Sequence, residues 1–228
     1  MIKNKLTFDN LLKFQSDVIS WNSIFNIKPT DSGYTSLYQQ LTYEECFGEG
    51  ELIDSLEKED TVGILDALVD LIFTAFQWAT LSGCNLQEED RDWYDNVVVG
   101  NTAKDFYLEE LKRTILKEDA FASQTALIHL LESYSEDFDI VGAFNLVLES
   151  NTTKAVHVSK GVDIEQEIAY IESQGRYGDI TCERSGEYFV FKAGQDVRDG
   201  VVFDKAKIIK SSLFLSVEDL GGLGFFVY

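Results

Sequence analysis

The chain is short of cations, proline, histidine and cysteine, and each shortage excludes something. Only 19 of its 228 residues are Lys or Arg, against 40 Asp or Glu, for a net charge of −21. A surface of that sign repels nucleic acid and anionic membrane, so neither is expected as a partner. It also repels a phosphorylated ligand, unless cations stand between the two. There are two histidines, His129 and His157, and three cysteines, Cys46, Cys84 and Cys182, with no CxxC pair. That leaves no zinc motif and no disulfide framework. The N-terminal lysines have no long apolar stretch behind them, so no signal peptide is expected and the chain reads as cytoplasmic. Pro29, the one proline, stands with Asp31-Ser32-Gly33 as the turn after a first helix.

What is present is a chain able to bury a core: 45% of the residues are hydrophobic and 13% aromatic. Thr7 caps a helix whose apolar face runs from Phe8 to Trp21 and which ends near Asn26. A second helix begins near Thr35 or Ser36 and runs to Lys58-Glu59-Asp60, weakened by Gly48 and Gly50. Asp60 caps a third, closed by Ser82-Gly83. The acidic stretch from Cys84 to Asn101 reads as a solvated loop. Helices are expected at about 103–116 and 119–134, from Asp137 or Asp139 to about Ser150, and from Asp163 to Gln174. After Gly175 the period becomes two-fold, with a hairpin at Ser185-Gly186 and short strands at 201–203 and 207–210. The expected fold is therefore mainly α. An antiparallel helical bundle spans 1–175, with 84–136 a long insertion, and a small β-hairpin or sheet appendage spans 176–228. The apolar, glycine-rich tail from Gly221 is expected to dock on its own or a neighbouring subunit.

Charge is uneven within this frame. Residues 1–150 hold 10 basic and 28 acidic residues (−18), and the remainder 9 and 12 (−3), so the second part is the better placed to touch an anion. The third helix is the anomaly. Val62–Leu81 is apolar almost all round, the pattern of a helix buried on every side, yet it contains Asp66 and Asp70. Its length would span a membrane, but two aspartates on one face and acidic flanks favour a core helix instead. No Lys, Arg or His lies between Lys58 and Arg91, so the local sequence offers these acids no counter-ion. A buried carboxylate must be paired, protonated or bound to metal, and a divalent cation is the natural candidate. Glu45 and Glu49, also four apart, present a second acidic pair on the preceding helix, with Glu44 beside them. A solvated acidic face accounts equally well for Glu44, Glu45 and Glu49. A ferritin-like di-iron site is rejected, because neither histidine stands in a Glu-x-x-His pair.

Cationic and amide groups lie far along the chain. Ser150-Asn151-Thr152-Thr153-Lys154 closes the helix before the β region. Asn suits a base edge or sugar and Lys a phosphate, although polar residues at a helix end are ordinary. Lys210-Ser211-Ser212 sets a lysine before hydroxyls, and Arg176-Tyr177 sets a cation beside an aromatic face. Each is ambiguous alone.

The order YEECFGE, DALVDLIFTAF, AFNLVLESNTTKAV and IEQEIAYIESQGRYGDI, with a trailing IIKSS, resembles the phage-type branch of the MazG-like all-α nucleoside triphosphate pyrophosphohydrolases. The resemblance spans roughly 8–83 and 137–215. It implies cleavage of a nucleoside triphosphate to monophosphate and pyrophosphate, with two or three Mg²⁺ (or Mn²⁺) ions held by Glu45, Glu49, Asp66 and Asp70. Glu44 or Glu49 would take the water proton. Lys154 and Lys210 would meet phosphates, with Ser211 and Arg176 also on the substrate. Asn151 would orient sugar or base, and Trp21 or Asn22 would line the base pocket. The first acidic run departs from the family's Glu-Glu-x-x-Glu, Ala67 stands where a glutamate is usual, and the KSP-like motif lacks its proline. The resemblance implies a homodimer or homotetramer, in a host cytoplasm if the source is viral. The leading substrates are dGTP or GTP, as in the MazZ branch, or dUTP. Two other readings are kept beside this one: a phosphoribosyl-ATP pyrophosphohydrolase-like enzyme, and a non-catalytic acidic protein that binds nucleotides or other proteins.

Overall fold

The computed structural model describes residues 5–29, 32–100 and 102–228. Asp31 of the expected turn after the first helix lies outside them. The described chain is mainly helical with one small antiparallel sheet. Nine α-helices come in the order α1 Phe8–Ile24, α2 Ser32–Phe47, α3 Leu52–Glu57, α4 Thr61–Leu81, α5 Arg91–Trp93, α6 Lys104–Leu116, α7 Ala120–Tyr134, α8 Ile140–Thr152 and α9 Ile164–Ser173. The strands are β1 Ala155–His157, β2 Tyr177–Ser185, β3 Tyr188–Asp196 and β4 Val201–Ile208.

Short polar side chains start most helices, because the first backbone amides of a helix lack carbonyl partners. Thr7 accepts from the Asn10 amide at 3.3 Å, while the Asn10 side chain accepts from the Thr7 amide at 3.0 Å. Asp60, Asp119, Asp139 and Asp163 accept from amides three residues on, at 2.9–3.1 Å. α4 is the central post. It packs against α1, α2, α7 and α8, and from Ala67 to Leu81 nearly every side chain is buried. It is long and apolar enough to cross a membrane, and here most of it is buried inside the protein.

The second predicted helix is in fact two. α2 ends at Phe47, the chain turns through Gly48–Gly50, and α3 restarts at Leu52. Gly50 has φ +86°, which a side-chain-bearing residue adopts only under strain. The predicted acidic loop is also ordered. Short helical turns over 88–98 bury Tyr94 and Val98, and the Tyr94 hydroxyl donates to Glu132 at 3.0 Å. Apolar residues interleaved with the acids anchor it where solvation alone was expected.

β3 is central in the sheet, pairing with β1, β2 and β4. β4 is one strand where two short ones were expected, and β1 was not foreseen, since three residues are too few to show a period. β1 precedes α9, so the sheet draws on chain from Ala155 onward. β4 packs on α2 and α9 on β2, which ties the sheet to the helices. The tail docks on its own subunit. The Asp139 amide donates to the Phe226 carbonyl at 2.8 Å, and the Tyr228 amide donates to the Asp137 carbonyl at 2.9 Å. The Phe226 ring lies where a Gly142 side chain would stand, 2.6 Å from the position of its Cβ.

Since α4 packs against α3 as well as α1, α2, α7 and α8, truncating its fully buried Phe76 leaves a cavity none of them can close alone. Phe76→Ala is expected to cost about 3–5 kcal/mol, read as a lowered denaturant midpoint in equilibrium unfolding.

Candidate functional site

Asp66, Asp70 and Thr74 recur every four residues and form a stripe on α4. The stripe lines a cleft of about 790 Å³ between the helices and the sheet. An aspartate pair inside an apolar helix is thereby explained: beyond its first turn, α4 is buried on the faces away from this cleft. Asp66 is exposed at the surface of the cleft and Asp70 is half-buried. Facing them are Glu45, from the last turn of α2, and Glu51, from the N-cap position of α3.

The four acids have no cation within ion-pair distance among the described residues, where Lys and Arg elsewhere pair repeatedly with Asp and Glu. Burial, followed by repulsion from Asp70 and Glu51, pushes Glu45 up to about 9. Glu45 and Glu51 stand close enough that each shifts the other's charge balance. Burial and Asp66 push Asp70 up to about 7, with Lys154 pulling the other way. Asp66 is raised by burial and by Glu218, and Glu51 by burial above all, despite the opposing influence of Glu45. Glu45, Glu51 and Asp70 are half-buried, and the protein around them disfavours the charged form.

The opposite wall is basic. Asn151 and Lys154 enter from the end of α8, Lys207 from β4, and Lys210 and Ser211 from the strap that follows it. Burial and the neighbouring ammonium of Lys210 pull Lys154 down to about 8, against the opposing influence of Asp70. Arg176 also lines the cleft, but its guanidinium is committed to Asp196 at 3.1 Å and lies over the Tyr177 ring.

The SNTTK run divides its labour by helical phase. Asn151 and Lys154 face the cleft, the Thr152 hydroxyl donates back to the Leu148 carbonyl, and the Ser150 and Thr153 hydroxyls hold the strap. Ser150 Oγ donates to the Leu215 carbonyl at 2.8 Å, and Thr153 Oγ1 accepts from the Leu215 amide at 3.0 Å. From the other side, Glu167 of α9 accepts from the Ser212 amide at 2.5 Å and from its hydroxyl at 2.6 Å. Ser211 Oγ accepts from the Leu213 amide at 3.2 Å, a bond that keeps the strap turned.

The structure thus brings Glu45, Asp66, Asp70, Asn151, Lys154, Arg176, Lys210 and Ser211 to one cleft. Four other predicted site residues lie elsewhere. Glu44 is exposed and accepts from Gln40 at 2.8 Å, and Glu49 is exposed in the turn. Neither lines the cleft. Trp21 and Asn22 are core residues: Trp21 stacks on Phe25 and meets Phe73 edge-on, and Asn22 bonds to Gln77. Helical spacing missed Glu51, because Gly48 and Gly50 end the helix and return the chain one turn later. The glycine pair was the available signal.

A divalent cation suits this donor set. Four carboxylates without counter-ions are hard oxygen ligands, the kind Mg²⁺ and Mn²⁺ prefer. Among the described residues no three acidic, His or Cys groups converge on one point. Mg²⁺ commonly takes one or two carboxylates and completes its shell with water and phosphate oxygens.

Two outcomes are expected. Gly50→Ala strains the turn that delivers Glu51, costing about 1 kcal/mol or more of stability, read by equilibrium unfolding. The raised carboxyl groups bind more protons folded than unfolded, so their contribution is full below the unfolded carboxylate range and is lost as pH rises through about 7 to 9. The protein should melt at lower temperature at about pH 8 than at about pH 5, read by thermal unfolding without added metal.

Compared with known proteins, the chain matches no protein-family model, no curated protein and no solved structure.

Proposed function

We propose that the chain is a metal-dependent nucleoside triphosphate pyrophosphohydrolase of the MazG-like kind, releasing pyrophosphate and a nucleoside monophosphate. One observation carries this reading: Glu45, Glu51, Asp66 and Asp70 line one wall of the cleft and three lysines the other, with Glu218 entering from beyond the strap, and no ion pair joins these acids to these lysines among the described residues. Each wall raises or lowers the pKa values of its own members. A ligand that relieves both walls must present cations to one and anions to the other. A magnesium-bound polyphosphate does so, and it also explains how a protein of net charge −21 holds a polyanion.

Glu45, Glu51, Asp66 and Asp70 would hold the ions. When bound, Mg²⁺ neutralises phosphate charge and lowers the pKa of water at the site. Lys154, Lys207 and Lys210 meet the phosphate oxygens, and Asn151 supplies an amide to the sugar or base. Lys154, already partly relieved of its proton by its neighbours, regains full charge when an anion arrives. Water attacks the α-phosphorus, the bridging P–O bond to the β-phosphate breaks, and pyrophosphate leaves. Glu51 takes the water proton. Glu51 lines the cleft, and its oxygen not engaged with an ion would take that proton, a role the exposed Glu44 and Glu49 are not positioned to fill. The nucleoside triphosphates dGTP, GTP and dUTP are the first to try.

The test is pyrophosphate release from a nucleotide panel with and without Mg²⁺. Activity is expected only with metal. Asp70→Asn and Glu51→Gln should each lower kcat by about a hundredfold or more, and Lys154→Ala should act mainly on KM. Undiminished turnover in Asp70→Asn would sink the assignment.

A further inference from the structure

The cleft holds aromatic rings that the core does not use. Phe214 lies on the strap and Tyr170 on α9. Both line the cleft, and neither belongs to the two clusters of packed hydrophobic residues found among the described residues. Tyr170 is 47% exposed. A ring left out of the core forgoes the stabilisation that burial gives, and two gathered in one concave site differ from scattered surface aromatics.

The strap holds Phe214 in a fixed place by polar anchors on both sides. Ser212 is bonded to Glu167 two residues before it, and Leu215 to Ser150 and Thr153 one residue after. Lys210 Nζ stands 4.3 Å from the centre of the Phe214 ring. The cation that would meet phosphate therefore also lies on the face of an aromatic ring. Whatever is joined to that phosphate arrives beside the ring.

We infer that Phe214 and Tyr170 form a nucleobase-stacking subsite, with Lys210 joining it to the phosphate site. This rests on the nucleotide reading given above. Stacking on an aromatic face accepts any base, and the cleft-lining amide of Gln174 offers both a donor and an acceptor to a base edge. The subsite lies on the sheet side of the cleft. The base site implied by resemblance, at Trp21 and Asn22, falls instead within the core.

The experiment uses the full chain with Mg²⁺ and compares nucleoside triphosphates with inorganic tripolyphosphate, which has no base. Phe214→Ala and Tyr170→Ala are expected to lower kcat/KM for nucleotides roughly 5- to 100-fold each, chiefly through KM. Tripolyphosphate turnover should be unchanged, and Phe214→Trp should retain nucleotide activity. Nucleotide turnover unaffected by both alanine variants overturns the subsite while leaving the hydrolase reading intact. Equal loss on nucleotide and tripolyphosphate also overturns it, because the strap has then merely collapsed. If the wild type hydrolyses neither, calorimetry with a nucleoside monophosphate and with pyrophosphate decides. Weaker monophosphate binding in Phe214→Ala, with pyrophosphate binding unchanged, sustains the subsite and rejects the hydrolase. No monophosphate binding by the wild type rejects both.

Discussion

Separation of charge inside the cleft is the constraint on which the rest of the structure depends. A protein with twice as many acids as bases could pair every cleft lysine with an acid, and elsewhere on this surface lysines and arginines are so paired. In the cleft Glu45, Glu51, Asp66 and Asp70 form no ion pair with the lysines, although Asp70 and Lys154 are near enough to feel each other. Keeping like charges together disfavours both ionised walls, and each wall belongs to a separately anchored part of the fold. Those four acids come from α2, α3 and α4; the lysines come from the end of α8, from β4 and from the strap, with Glu218 entering beyond it.

The helical core makes that arrangement rigid. α4 is packed tightly on nearly all its circumference, so the Asp66–Asp70–Thr74 stripe cannot rotate away from the cleft without exposing Leu65, Leu68 or Phe76. The glycine turn after α2 brings Glu51 to the same wall. The sheet supplies the other wall without contributing a core comparable to the helical one, and the polar anchors at Ser150, Thr153 and Glu167 fix the strap where hydrophobic packing does not. Anchors of that kind hold a segment in place while leaving its own side chains free for a ligand.

Much of this was legible in the sequence, for local reasons. Helix starts at Thr7, Asp60, Asp119, Asp139 and Asp163 follow from the need to satisfy free amides, which depends on a few neighbouring residues. The anomaly of acids in an apolar helix was equally plain. Elements that depend on contacts distant in sequence were not. β1 has three residues and exists because β3 offers it a partner, and the ordered turns over 88–98 depend on Glu132 accepting from Tyr94. Trp21 and Asn22 have residue types suited to a base pocket, but the α1 face carrying them is the one that packs on α4.

The sequence by itself determined the helical class, the capped boundaries, and the presence of uncompensated acids in one half of the chain with lysines and an amide in the other. Composition and period carry those facts, since both are properties of neighbouring residues. Only the tertiary structure decided that the two sets share one cleft without pairing, that Glu51 and not Glu49 completes the acidic wall, and that Phe214 of the strap and Tyr170 of α9 line the same cleft. Those are relations between residues up to more than a hundred positions apart. They are fixed by how α4, α8 and β4 pack, which no local pattern specifies.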